Sequence, residues 1–254
     1  MKTAERVSQV DASDNYVFQR SLLAYIYAAR RVSGVVLEIG TGSGYGIEHI
    51  APASERFITI DKYRPADELI EGNEKVEFRQ MSVPPLTDIA SESVDYVISL
   101  QVIEHIKRDR EVVAEVHRVL KKGGKFIVST PNRPMSLTRN PWHVREYSAE
   151  EFYLCLAEDF GQVEKMGVEG NDKVWNYYEQ NRLAVERIAR IDVLDLQHRL
   201  PRWMLQLPYD ILNRLNRRKL LKQNTSLTQS ITIEDYSIVP VHPRCFDLYY
   251  ICTK

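Results

Sequence analysis

The chain has 254 residues, 34 Lys and Arg against 35 Asp and Glu, three Cys, and a hydrophobic share of 44%. That suffices for a sizeable core in one large or two small domains, and a formal net charge of -1 excludes a protein that is basic all over and coats nucleic acid. No apolar run approaches the roughly 20 residues of a membrane span, MKTAERVSQVDASD has no apolar secretory core, and Cys155, Cys245 and Cys252 lack metal-ligand spacing and fit a reducing compartment. The expectation is a soluble, cytoplasmic, globular protein.

The first dozen residues are polar and predict no ordered element. From Tyr16 the pattern changes: Phe18, Leu22, Leu23, Ile26 and Ala29 recur at helical spacing, with Gly34 as the expected C-cap. VVLEIG (35–40) reads as a strand, followed by a glycine-rich turn and a helix to about Ala51. FITID (57–61) is a second strand, PADELI (65–70) a short helix, VEFRQ (76–80) a third strand and VDYVISL (94–100) a fourth. A helix over 109–121 carries Val112, Val113, Val116, Val119 and Leu120 on one face and ends at Gly123-Gly124. KFIVSTP (125–131) is the fifth strand, and SAEEFYLCLAEDF opens a helix with the Ser148–Glu151 capping-box pattern. QVEKMGV (162–168) is a sixth strand and DLYYICTK a terminal one. Strands alternating with helices predict an α/β fold, a parallel sheet covered on both faces.

The sharpest local feature is E-I-G-T-G-S-G-Y-G, Glu38 to Gly46, at the end of the first strand. Gly40, Gly42 and Gly44 remove Cβ atoms where the chain turns, so a ligand can approach the backbone. The dinucleotide fingerprint G-x-G-x-x-G fails here: from Gly40 its last position is Tyr45, and from Gly42 it is Ile47. Asp61 ends the second strand, where a carboxylate can accept both hydroxyls of a ribose.

These segments together resemble the class I S-adenosylmethionine-dependent methyltransferases, the broad group that includes ubiquinone-biosynthesis and sugar methyltransferases. VLEIGTGSGYG resembles the first family motif, ITID the second, VDYVISLQVIEHI the fourth-strand motif and LKKGGKFIVSTPN the fifth-strand motif. NPWHVREYSAEEF resembles a segment common in bacterial members. The resemblance covers 35–168 and implies a Rossmann-like, doubly wound seven-stranded sheet whose last strand is antiparallel. It implies S-adenosylmethionine as cofactor, held at Glu38, Gly40, Gly42 and Gly44, with Asp61 on the ribose and Lys62 beside the adenine. It places Ser82 and Val83 at the adenine, Leu100 and Gln101 near the sulfonium, and Tyr16 and Arg20 over the cofactor. Many members have Asp where Ser82 stands, so a weaker hydroxyl contact is expected there.

Methyl transfer from a sulfonium needs alignment of nucleophile, methyl and sulfur, and a base for the nucleophile's proton. His143 and His105 are the candidate bases: each follows a strand on the cofactor side, and Trp142, Arg145 and Tyr147 around His143 suggest a substrate wall. No metal is expected. The acceptor is read as a hydroxyl or amine of a small molecule, a sugar or a lipid- or nucleotide-linked glycan precursor, with a quinone or phenol acceptor or an inactive cofactor-binding partner subunit as alternatives. S-L-Q-V stands where amino-methylating members carry N/D-P-P-Y/F, which disfavours protein and nucleic-acid acceptors.

Residues 169–246 break the strand–helix rhythm and are helical by composition, LAVERIARIDVLDL most clearly. The predicted organisation is a helical cap (1–34), a methyltransferase core (35–168 and 247–254) and a helical insert or lid (169–246) suited to substrate selection or to a homodimer. Within the insert, residues 199–222 hold seven Lys or Arg and one acid, Asp210, with Met204, Leu205, Ile211, Leu212 and Leu215 on one helical face. Pro208 interrupts that face and the pattern fades after Leu215, so it fits either a packed helix with a solvated basic end or a basic amphipathic surface that meets anionic lipid or a phosphorylated substrate.

Overall fold

A computed structural model of the chain describes residue 7, residues 10–190, residue 192 and residues 195–254. Most of the polar N-terminal dozen, and Ile191, Val193 and Leu194 of the LAVERIARIDVLDL stretch, lie outside the described residues.

The N-terminal helix α1 is Asn15–Ala29. Its buried side chains are Tyr16, Phe18, Ala24, Tyr25 and Ala28, not the Leu22–Leu23–Ile26–Ala29 face expected from the periodicity. The helix is turned so that Tyr25 reaches over the first strand, its ring packed where Gly46 lacks a side chain. Gly34 is not the cap, because α1 closes at Arg30. Its φ of +65° serves the entry to the next strand, where a Cβ would stand 2.5 Å from an Asp95 carboxylate oxygen.

β1 (Val35–Ile39) leads through the glycine turn into the short helix α2 (Ile47–Ile50), then β2 (Arg56–Asp61). The PADELI segment forms only a three-residue 3₁₀ turn, Asp67–Leu69, before β3 (Val76–Gln80). β4 (Val94–Leu100) is followed by α3 (Asp109–Val119), whose Val112, Val113, Val116 and Val119 are all buried as the pattern predicts. β5 (Leu120–Pro131) begins as soon as α3 ends, pairing Leu120 with Val94 before its register shifts. In α4 (Ala149–Ala157), Ser148 and Glu151 form the expected reciprocal capping box. β6 (Gln162–Gly170) leads into the insert: α5 (Asp172–Ala189), α6 (Leu196–Arg199), α7 (Arg202–Gln223), α8 (Thr225–Ser230) and β7 (Tyr236–Pro240). β8 (Asp247–Thr253) ends the fold.

One sheet runs in the order β3-β2-β1-β4-β5-β8-β6-β7. The first five strands are parallel, and β8 pairs antiparallel with both β5 and β6. The sheet therefore has the doubly wound form with a reversed final strand, but eight strands instead of seven. The additional strand, β7, lies inside the segment read as helical and pairs antiparallel with β6 at the edge. Its terminal Pro240 suits an edge position, where no further ladder bond is needed.

Alternating residues of the strands feed two cores. Leu37, Ile58, Phe126 and Tyr250 pack with α3 and α4 on one face. Val36, Phe57, Ile127 and Tyr249 pack with α1, α2 and α5 on the other. Among the described residues, no helix is long and apolar enough to cross a membrane.

Candidate functional site

At the C-terminal ends of the parallel strands the backbone turns sharply through three glycines with positive φ: Gly40 at +93°, Gly42 at +57° and Gly44 at +85°. The turn is tied to β2. The Gly40 N–H donates to the Ile60 carbonyl at 2.8 Å, and the Gly42 N–H donates to Asp61 Oδ2 at 2.9 Å. The two outer glycines are packing requirements, since a Cβ would come within 2.4 Å of Val102 at Gly40 and 2.6 Å of Leu69 at Gly44. Gly42 differs: a Cβ there would meet nothing within 4 Å. Its bare backbone faces open space.

That space is a cavity of about 1800 Å³, larger than the roughly 300–1,000 Å³ of a typical small-ligand site. Gly40, Gly42, Asp61, Lys62, Val83, Leu100, Gln101, Tyr16 and Arg20 all line it. Glu38, Gly44 and Ser82 are absent from its lining. Glu38 lies below the turn, buried, accepting a hydrogen bond from the Tyr25 hydroxyl at 2.8 Å and another from Thr59. Burial pushes its carboxyl up to about 7. Gln101 sits at the tip of β4 with φ +59°, a left-handed conformation that costs a non-glycine residue about 1–3 kcal/mol. Arg20 Nε lies 2.9 Å from the buried carboxylate of Asp247, which places a compensated charge pair in the wall.

Two observations bear on whether these residues suit a nucleoside-type ligand such as S-adenosylmethionine. The open Gly42 position gives a backbone cradle beside a carboxylate, Asp61, whose oxygens together have about four acceptor sites. The buried Tyr16 hydroxyl lies beside the Arg20 guanidinium, and both residues line the cavity, so its wall carries polar groups that a polar ligand can meet. The residues present fit the group.

The cavity is also lined by Glu104, His105 and His143. The imidazoles meet edge-on with centroids 4.9 Å apart. The Trp142 N–H donates to Asn140 Oδ1 at 3.0 Å, which directs the Asn140 amide nitrogen at His143 Nε2, 2.9 Å away. His143 Nε2 is thus an acceptor, and Nδ1 carries the proton toward Glu146 Oε1 at 2.7 Å. His105 Nδ1 faces the Trp142 carbonyl at 3.1 Å and by the same logic is the protonated nitrogen. Glu104 is buried, its carboxyl held above the ordinary value by desolvation, and its backbone carbonyl accepts from Val144 N–H at 2.7 Å. No metal is expected from the sequence, yet Glu104, His105 and His143 each bring a ligand atom within 4.8 Å of the others. Chain separation hid this, because the two histidines lie 38 positions apart. Trp142 does line the cavity, whereas Arg145 and Tyr147 turn away. Arg145 pairs with the buried Asp109 at 2.8 Å, and the Tyr147 hydroxyl donates to the same carboxylate.

The insert supplies walls that sequence motifs did not indicate. Tyr177 of α5 stacks on Tyr16 with centroids 4.4 Å apart, and Tyr178, Asn181, Met204 and Tyr209 line the same cavity. The only sequence signal was the tyrosine pair itself. α7 is also latched to the His143 loop: Trp142 Nε1 donates to Asp210 at 3.0 Å, and Arg202 donates to the Val144 carbonyl at 2.7 Å.

A family model described as a methyltransferase domain matches residues 37–128. A probable S-adenosylmethionine-dependent methyltransferase of Mycolicibacterium smegmatis is 37% identical over 175 residues, 64% of this chain and 65% of that one. A ubiquinone biosynthesis O-methyltransferase of Dechloromonas aromatica is 31% identical over 103 residues, 39% of this chain and 44% of that one. The aligned segments thus span less than two thirds of these relatives' lengths. Among solved structures, a SAM-dependent methyltransferase and possible histamine N-methyltransferase of Thermotoga maritima shares the fold. The TM-score is 0.56 at 14% identity, covering 94% of this chain and 91% of that one.

Proposed function

From a chain that carries a class I S-adenosylmethionine-dependent methyltransferase domain, we propose methyl transfer from S-adenosylmethionine to a hydroxyl or amine of a small molecule. The observation that carries this reading is the sharing of one cavity by the Gly42–Asp61 cradle and the paired imidazoles of His105 and His143. The acceptor class we favour is a sugar or glycan precursor; a quinone or phenol is the second class.

When bound, S-adenosylmethionine supplies a methyl group already activated on a sulfonium. The chain's own work is to bind, align and take a proton. Asp61 takes the ribose hydroxyls and Gly42 lets the ligand approach the backbone. Lys62 and Val83 flank the adenine, and Leu100 and Gln101 border the reacting end. Tyr16, stacked on Tyr177, covers the site and excludes water. His143 takes the acceptor proton at Nε2 as the acceptor displaces the Asn140 amide N–H from that lone pair, Glu146 stabilising the imidazolium through Nδ1–H, and His105 orients the loop through the Trp142 carbonyl. The insert, 169–246, closes the acceptor side as a lid.

A second reading of the same cluster rests on the three ligand atoms within 4.8 Å: a divalent cation at Glu104, His105 and His143 would hold the acceptor oxygen and lower its pKa. The experiment is label transfer from methyl-labelled S-adenosylmethionine into glycan and quinone extracts. We expect transfer that is insensitive to chelator and falls roughly 10²–10⁴-fold in His143→Ala. Loss on chelation, restored by a divalent cation, selects the second reading. Binding without transfer to any acceptor selects an inactive module.

A further inference from the structure

The helix α7 is inverted in polarity. Its solvent face carries Trp203 (73% exposed), Leu207 (54%), Ile211 (49%) and Leu215 (58%), spaced four apart. Met204 and Leu212, also exposed, widen the stripe. The inward face holds polar groups, with Leu220 packed into the core near its C-terminal end. Asp210 and Asn216 are buried, the first bonded to Trp142 and the second to Asn181 at 2.7 Å. Arg217 pairs with Asp14 at 2.7 Å. A helix that only covered a core would do the reverse. The polar anchors hold it in this orientation, so the apolar stripe is the face presented outward.

The charges select the occupant. The exposed stripe continues into Arg218, Lys219 and Lys222, and Arg199 is exposed before its other end. The one acid of 199–222, Asp210, is on the inward face. Two copies joined through α7 would set cation against cation with no outward carboxylate from this segment between them. Anionic headgroups above an apolar layer complement both parts of the face. Met204 and Leu212 also line the cavity, so the apolar face runs into its wall.

We propose that α7 lies in the surface of an anionic lipid bilayer and that the methyl acceptor is borne by a lipid and enters the cavity from that surface. The docking stands on α7 alone; the acceptor rests on the methyl-transfer reading above.

The test is co-sedimentation of the full chain with vesicles of pure phosphatidylcholine or equimolar phosphatidylcholine and phosphatidylglycerol, without S-adenosylmethionine. We expect binding to the anionic vesicles, weakened by salt, with Trp203 emission quenched by brominated lipid; Trp203→Phe controls for Trp142 and Trp175. Leu207→Glu with Leu215→Glu should abolish binding. Arg218→Gln, Lys219→Gln and Lys222→Gln together should weaken it roughly a hundredfold. None of these residues lines the cavity, so S-adenosylmethionine affinity should be unchanged, which also reports folding. Absence of binding to anionic vesicles, or a dimer dispersed by Leu215→Glu in place of vesicle binding, overturns the docking. If vesicles are bound but no methyl is transferred, docking stands and the catalytic reading fails. Transfer to a soluble acceptor as fast as to a vesicle-embedded one overturns the lipid-borne acceptor.

Discussion

Glu38 shows how a residue can be legible as a motif and misplaced as a contact. It opens E-x-G-x-G-x-G, yet alternation along β1 turns it toward α1, where Tyr25 and Thr59 bind it. Burial raises its carboxyl from an ordinary 4.5 to about 7, against those two hydrogen bonds. Between these values the folded state holds more proton than the unfolded state, so the stability this group confers is full at acid pH and is lost as pH rises through about 7. Urea denaturation should therefore show the wild type losing about 3 kcal/mol relative to Glu38→Gln between about pH 4 and about pH 8. Parallel pH profiles for the two proteins would contradict this assignment. Asp61 and Gly42 were readable because their chemistry demands those residue types at a strand end. The fates of Arg145 and Tyr147 were not, because they answer to the buried Asp109, remote in sequence.

Elements with a local signature were legible. The face of α3 and the capping box of α4 follow from neighbours within one or two turns, and both are present. Because that box satisfies N–H groups otherwise left bare, Ser148→Ala should lower unfolding stability by about 1 kcal/mol and leave S-adenosylmethionine affinity unchanged, measured by denaturation and calorimetry side by side. Elements decided by distant partners were harder to read. α1 buries its Tyr–Ala face because Tyr25 must reach Glu38. β7 is five residues ending in Pro240 and exists through its pairing with β6, to which nothing in YSIVP points. α7 looked like a helix with an apolar face, but only the positions of Asp210, Asn216 and Arg217 show that this face points outward.

For the whole molecule, a net charge of -1 conceals a strongly basic helix set against an acidic remainder. The parallel part of the sheet follows from the alternation of strands and helices and the reversed strand from the family resemblance, and a large cavity lies at the strand ends. The sequence points to the insert as a lid but not to which of its residues line the cavity, since Tyr177, Tyr178, Asn181, Met204 and Tyr209 lie more than 100 positions after the glycine turn. The central claim is that this cavity binds S-adenosylmethionine through Gly42 and Asp61. Titration calorimetry tests it without knowledge of the acceptor. The account predicts saturable binding of S-adenosylmethionine at one site, weakened roughly tenfold to a hundredfold by Asp61→Ala, and no heat of binding with NAD. Binding of NAD with no response to S-adenosylmethionine, or S-adenosylmethionine affinity indifferent to Asp61→Ala, would contradict it.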